Sequence, residues 1–283
     1  MCRLKACLKM WNNFFARISL LKNVIRNAGL EVHLVDHCNL KCRSCMHYSP
    51  IMEPFFVDIG RLENDFKVLA LKEHGFFKRI RLMGGEPLLH PEIEKIVNIS
   101  RYYFPKKKIV LVTNGIMLEQ MKQSFYDTLK KNNILLKITK YPINLDYGKM
   151  TKMLLDKGVT FKLKQYEHAK SFLNPCLSEM GHENFETIYV SCPAKITCNQ
   201  LRNGKIYSCP TMAYFDGLKK NFNLKYDVSD DDFISLDDIS GKNSLWRFIL
   251  KPKLFCKHCG LHKNICTSWS VSRCQSEEWI CLE

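Results

Sequence analysis

The sequence predicts an α/β fold: a parallel sheet curled as a partial (β/α) barrel, followed by a small cysteine-rich C-terminal domain. Three observations predict it. Between residues 30 and 164, apolar strand-like runs alternate with helix-like runs, the pattern of parallel strands joined by right-handed crossovers. Several of these runs end in distinctive turns, and in such sheets ligand chemistry gathers at the carboxyl ends of the strands. Beyond residue 170 the alternation stops and cysteine becomes frequent. The chain divides on this reading into a basic amphipathic N-terminal helix (1–28), the partial barrel (29–170) and the cysteine-rich domain (171–283).

A 283-residue chain with 46% apolar residues can bury a full core. No stretch reaches the eighteen or so consecutive apolar residues of a membrane span, and the N-terminus lacks the apolar core and cleavage site of a signal peptide. A cytoplasmic protein is therefore expected. The 14 cysteines then read as reduced, metal-binding thiols, because disulfide-dense chains are usually small and secreted. The formal charge of +15 raises nucleic acid as a partner, but lysine is spread along the whole chain. Its sharpest run, Lys106-Lys107-Lys108, solvates a turn before a strand, so nucleic acid is not expected. An anionic small substrate or a membrane surface suits the same field.

Taken in order, residues 4–25 place Leu4, Leu8, Trp11, Phe15, Ile18 and Ile25 at helical spacing with lysines between them. Such a helix packs on the main domain or makes peripheral contact with an anionic membrane. Strands are expected at 30–36, 79–84, 108–113, 134–139 and 159–164, and helices at 58–72, 91–103, 118–132 and 147–157. Asp58 is suited to cap its helix and Pro91 to begin the next. No sixth barrel strand stands out.

The first strand is followed by His37-Cys38-Asn39-Leu40-Lys41-Cys42-Arg43-Ser44-Cys45, a C-x3-C-x2-C loop whose three thiols can converge on one metal centre. His37 or His47 can complete a Cys3His zinc site, or the three thiols can hold an iron–sulfur cubane with one iron left open. The second strand ends in Gly84-Gly85-Glu86-Pro87. Paired glycines let backbone approach a ligand closely, and their carbonyls, with a carboxylate, can accept from an ammonium group. The third strand ends in Thr113-Asn114-Gly115, and the fourth in Thr139-Lys140-Tyr141-Pro142, at the same edge.

The Cys38-x3-Cys42-x2-Cys45 loop with Gly-Gly-Glu-Pro downstream resembles the radical S-adenosylmethionine (SAM) enzymes. The resemblance implies a [4Fe-4S] cluster held by Cys38, Cys42 and Cys45, whose open iron binds the amino and carboxylate groups of SAM. Gly84, Gly85, Glu86 and Asn114 are implied to position SAM. Ser44 departs from the family, which usually carries an aromatic residue there to pack on adenine; His47 or Tyr48 is expected to compensate.

In the C-terminal region, Cys192 and Cys198 precede a hairpin with Asn203-Gly204 at its turn, followed by Cys209 and, much later, Cys256-Lys257-His258-Cys259. Two Cys pairs around hairpins also describe a zinc ribbon. The pattern resembles the auxiliary-cluster extensions of radical SAM enzymes, called twitch and SPASM, which implies a single auxiliary [4Fe-4S] cluster with Cys192, Cys198, Cys209, Cys256 and Cys259 as five candidates for four places. Cys266, Cys274 and Cys281 depart from the spacing of a second cluster, and Cys2, Cys7 and Cys176 read as ordinary buried thiols. The acidic stretch 227–238 reads as a solvated linker and helix start. The tail, with Trp269 and Trp279, resembles those of a subgroup tied to surface-polysaccharide and other specialised biosynthesis.

The resemblance implies reductive cleavage of SAM and hydrogen abstraction from a substrate, with an external one-electron donor such as flavodoxin or ferredoxin. A sugar-like small molecule is the expected substrate, and a ribosomally made peptide the alternative. No catalytic base is singled out. A zinc-bearing interaction module is the reading from another class.

Overall fold

The computed structural model describes residues 27–165, 176–263 and 268–281. The N-terminal helix expected over residues 4–25 lies outside them. Five parallel strands, β1 (Gly29–His33), β2 (Arg79–Met83), β3 (Lys108–Thr113), β4 (Leu135–Lys140) and β5 (Phe161–Gln165), lie side by side in chain order. Neighbours in space that are also neighbours in sequence need every crossover on one face, which is the arrangement of a barrel wall and not of a doubly wound sheet.

The crossover helices are α1 (Ile59–Lys72), α2 (Ile93–Tyr103), α3 (Gln123–Lys131) and α4 (Tyr147–Asp156). Each turns an apolar stripe to the sheet, as Ile59, Leu62, Phe66 and Leu69 do on α1. These residues share one core with Leu30, Val32, Ile80, Leu82, Ile109, Leu111, Leu136 and Ile138. The strand register puts those residues in matching rows, so alternate positions, Glu31, Arg81, Val110 and Lys137 among them, fall on the face away from the helices.

Two helix boundaries differ from expectation. Asp58 caps α1 by accepting from Arg61 N–H at 2.8 Å, but α2 begins at Ile93 with Glu92 before it, because Glu92 N–H is drawn to the His90 ring instead. The run 118–132 is broken: a 3-10 turn spans Leu118–Gln120, and α3 restarts at Gln123 after Met121 and Lys122 adopt extended backbone.

The cysteine-rich region supplies α5 (Phe185–Ser191), α6 (Ala194–Thr197), β6 (Asn199–Arg202), β7 (Lys205–Tyr207), α7 (Pro210–Ala213), α8 (Phe215–Phe222), β8 (Phe233–Ser235) and α9 (Lys242–Leu250). The hairpin turns at Asn203-Gly204, both at positive φ, as expected. Its β6 joins the parallel sheet beside β1, with Leu30, Glu31 and Val32 opposite Asn199, Gln200 and Leu201. One open eight-stranded sheet results, ordered β5-β4-β3-β2-β1-β6-β7-β8. The hairpin thus extends the sheet past β1, and among the described residues no strand follows β5 at the other edge. Within the acidic stretch Asp232 is buried, not solvated, and caps a turn by accepting from Phe255 N–H at 3.0 Å.

Candidate functional site

The two front motifs form one unit. Past β1 the chain runs against the turn that ends β2: Gly85 N–H donates to the Val35 carbonyl at 2.6 Å and Glu86 N–H to the His37 carbonyl at 3.1 Å. A Cβ on Gly84 would lie 2.6 Å from the Val35 oxygen, and one on Gly85 only 2.0 Å from the His37 oxygen. Both positions therefore need glycine, and the turn is locked one residue from Cys38.

Glu86 is fully buried. Its carboxylate accepts from Thr113 hydroxyl (2.7 Å), Leu88 N–H (3.0 Å) and Asn114 N–H (2.9 Å), tying the ends of β2 and β3 together. Burial outweighs these donors and raises its carboxyl to about 7. Asn114 in turn donates from Nδ2 to Asn39 Oδ1 at 2.7 Å and lies 3.7 Å from Cys38 Sγ. Gly84, Gly85 and Asn114 thus border the cysteine loop, while the Glu86 side chain braces them from behind.

Cys38, Cys42 and Cys45 lie close enough for charge on Cys45 to raise the pKa of Cys38 and Cys42, and charge on Cys42 that of Cys38. Burial is the larger cause for Cys38 and for Cys42, which is pushed up to about 12. Burial pushes the half-buried Cys45 up as well, but hydrogen bonds from His47 and its charge bring it below its ordinary value. Three thiols brought together on one short loop, one buried and two half-buried, suit a positively charged centre of soft metal larger than a single ion.

The rear thiols are gathered by packing. Cys192 ends α5, Cys209 precedes α7, Cys256 lies within a 3-10 turn, Leu254–His258, and Cys259 follows it. All four line one cavity of about 40 Å³, roughly three times the 10–15 Å³ that one water-sized occupant needs. Among the described residues, no three His, Cys, Asp or Glu side chains are arranged to hold a single metal ion. Four thiols lining a space for several atoms supply the donor set of a polynuclear iron–sulfur group or of a zinc site. Two buried lysines flank it. Lys195 lines the cavity, and Lys253, depressed to about 7 by burial, donates to the Phe248 and Lys251 carbonyls.

Cys198, the fifth candidate, stands apart from these four, with its sulfur 3.7 Å from Arg81 Nη2. Cys176 is not an ordinary free thiol: it is bonded to Cys281, with Cα atoms 5.2 Å apart. Cys281 is thereby unavailable as a ligand in this state, and Cys2, Cys7 and Cys266 lie outside the described residues. Tyr48 does not stand in for the missing aromatic residue. It is buried in the rear core, its hydroxyl 3.4 Å from the Thr211 carbonyl. His47 packs at 5.3 Å from the rings of His33 and Tyr214, and Ser44 is buried at positive φ.

Two features carried no sequence signal. The tail reaches the front loop, where Trp269 Nε1 donates to Cys42 Sγ at 3.2 Å and Trp279 Nε1 to the Cys45 carbonyl at 2.9 Å. The sheet face away from the helices carries a cationic group. Arg81 pairs with Glu31, while Lys137 has its pKa lowered by burial and then by Lys164, Arg81 and Arg79. The Nε atoms of Arg79 and Arg81 are buried without a hydrogen-bond partner.

Residues 32–162, which build this half-barrel and its cysteine loop, match the radical SAM superfamily. The chain carries a radical SAM domain. A GTP 3′,8-cyclase of Clostridium botulinum is 36% identical to it over 106 residues, covering 37% of this chain and 33% of that protein. One from Microcystis aeruginosa is 33% identical over 110 residues, with the same coverage of 37% and 33%. The match spans about a third of the length of these curated relatives. Among solved structures, BtrN in complex with AdoMet and 2-DOIA aligns over 86% of this chain and 95% of its own, at 20% identity and a TM-score of 0.51. That likeness concerns the fold.

Proposed function

We propose that the chain is a radical SAM enzyme acting on an anionic, sugar-like small molecule, with one auxiliary cluster. Cys38, Cys42 and Cys45 hold the front [4Fe-4S] cluster, and Gly84, Gly85 and Asn114 border the place where SAM sits. The cluster and SAM, when bound, supply one electron and an alkyl radical able to take hydrogen from a substrate. Cys192, Cys209, Cys256 and Cys259 would hold the auxiliary cluster, whose accessible potentials suit it to take one electron from a substrate radical left by hydrogen abstraction. The observation that carries the reading is the convergence of three thiols at the carboxyl edge of a half-barrel, locked to a glycine turn where no side chain fits.

The cationic group supports the choice of substrate. Beyond burial, Arg81 lowers the pKa of Arg79, and Lys164, Arg81 and Arg79 lower that of Lys137, while Glu31 pulls both the other way and the Cys198 thiol does so for Arg79. Like charges held together in a half-buried place are unfavourable by themselves, and a phosphate or carboxylate on the substrate relieves them. The chain's excess of lysine and arginine also suits an acidic electron donor of the flavodoxin or ferredoxin kind.

Anaerobic purification with iron, sulfide and zinc analysis, then addition of dithionite and SAM, tests the proposal. It predicts iron and sulfide for two cubanes and formation of 5′-deoxyadenosine. Stoichiometric zinc without 5′-deoxyadenosine would defeat it.

A further inference from the structure

Residues 268–281 run as a strap across the front cysteine loop. The two backbones pair antiparallel at Cys42 and Val271: Arg43 N–H donates to the Ser270 carbonyl at 2.9 Å and Ser272 N–H to the Lys41 carbonyl at 2.8 Å. Farther along, Ser272 hydroxyl and Arg273 N–H both donate to the Glu278 carboxylate at 2.6 Å, and Cys281 is bonded to Cys176. From this anchored strap one side chain reaches a front sulfur, the Trp269 indole at 3.2 Å from Cys42 Sγ.

The three front sulfurs differ in where their donors come from. Cys38 accepts from Leu40 N–H at 3.3 Å, two residues along the same loop, and at 3.7 Å from Asn114 Nδ2 at the end of β3. Cys45 is bonded from His47 and Ser49, again within the loop. Cys42 takes its donors from outside the loop: Trp269, 227 positions away, and Tyr141 just past β4. The indole can only donate, and its ring lies 6.3 Å from that of Tyr141. A hydrogen bond to a ligating sulfur favours the more negative, reduced state of a cluster and so raises its reduction potential.

We infer that Trp269 is a positioning residue that sets the reduction potential of the front centre through its bond to Cys42, so that docking of the tail makes this centre easier to reduce. The inference rests on the iron–sulfur reading of the front loop. It adds to that reading a role for the tail: Cys38 and Cys45 each have a donor within the loop, whereas both donors of Cys42 come from outside it and one of them is on the tail.

Trp269→Phe keeps the ring and the strap's backbone bonds and removes one donor. In the full chain, reconstituted anaerobically and titrated redox-wise by electron paramagnetic resonance, the signal that responds to added SAM reports the front centre. The expected result is unchanged iron and sulfide content with a midpoint shifted to more negative potential. An unshifted midpoint at full occupancy overturns the inference. So does loss of the front centre in a chain that still folds, which would make Trp269 a structural residue. A measurement on the wild type guards against a variant that does not fold: with ¹⁵N-indole tryptophan, the spin-echo modulation of the reduced centre is expected to show coupling to the labelled nitrogen, and its absence also overturns the inference. A wild-type chain with no iron–sulfur centre is a different outcome, since it removes the proposed function itself and this inference with it.

Discussion

The front and rear cysteine groups offer the same chemistry but are assembled in opposite ways. In front, three thiols sit on one short loop, and the scaffold's task is to hold that loop against the glycine turn after β2. At the rear, four thiols arrive from the end of α5, the start of α7 and a turn after α9, and meet only when the second core packs. Tyr48, three residues past Cys45, is buried in that second core, and Met46 lines the rear cavity. The two groups are therefore neighbours through the loop that leaves the front site. A local ligand set keeps its spacing when distant packing loosens. A dispersed one does not, so the rear centre should be the more sensitive to mutations that touch no ligand.

The largest effects come from removing ligands. We predict that Cys42→Ala abolishes SAM cleavage, whereas Cys256→Ala loses the iron of one centre, retains uncoupled cleavage and forms no product. Cys198→Ala should leave the iron content of both centres intact, since its sulfur faces Arg81 and not the cavity. Loss of cleavage in both ligand variants, with folding intact by circular dichroism, would erase the distinction between the groups.

A smaller effect is expected from the glycine turn. Gly85→Ala introduces a methyl group 2.0 Å from the His37 carbonyl oxygen, which neither backbone can yield without breaking the bonds that join them. Overpacking of this kind costs about 1–3 kcal/mol, and rigid backbone on both sides places this case near the top of the range. Urea unfolding should show the loss. Iron analysis should show it confined to the front centre; equal loss from the rear would mean that the two are not separately held.

How much of this was legible in the sequence follows from the same contrast. The front motifs could be read because their spacing along the chain is their spacing in space, and the five strands and four crossover helices because apolar periodicity reports one buried face. The rear group was legible only as five candidates for four places. Cys198 lies next to β6 in sequence, and only the pairing of β6 with β1 turns it toward Arg81 and away from the other four. Trp269 and the Cys176–Cys281 bond depend on contacts across more than a hundred residues, for which a single chain carries no periodic signal. Tyr48 misled for a related reason: its place beside the cysteines suggests the cofactor, but its ring is claimed by the second core.

The smallest effect tests how the front motif is braced, and two forces compete in it. Three donors favour the charged form of Glu86, while complete burial opposes it and wins, lifting the carboxyl from 4.5 to about 7. A carboxyl raised on folding binds its proton more tightly in the folded chain. Its contribution to stability is therefore fully present below about pH 4.5 and is lost as pH rises through about 7. In Glu86→Gln the amide does not titrate, and its NH2 group must face one of the three donors, at a cost of about 1–2 kcal/mol. We predict that the wild type's advantage over Glu86→Gln, measured by urea unfolding, is largest at about pH 4.5 and below and shrinks as pH rises through about 7. An advantage that grew with pH would show that the donors from Leu88, Thr113 and Asn114 govern this carboxylate instead. The front turn would then be an anion cradle in its own right, unlike the rear site, where buried lysines stand beside the thiols.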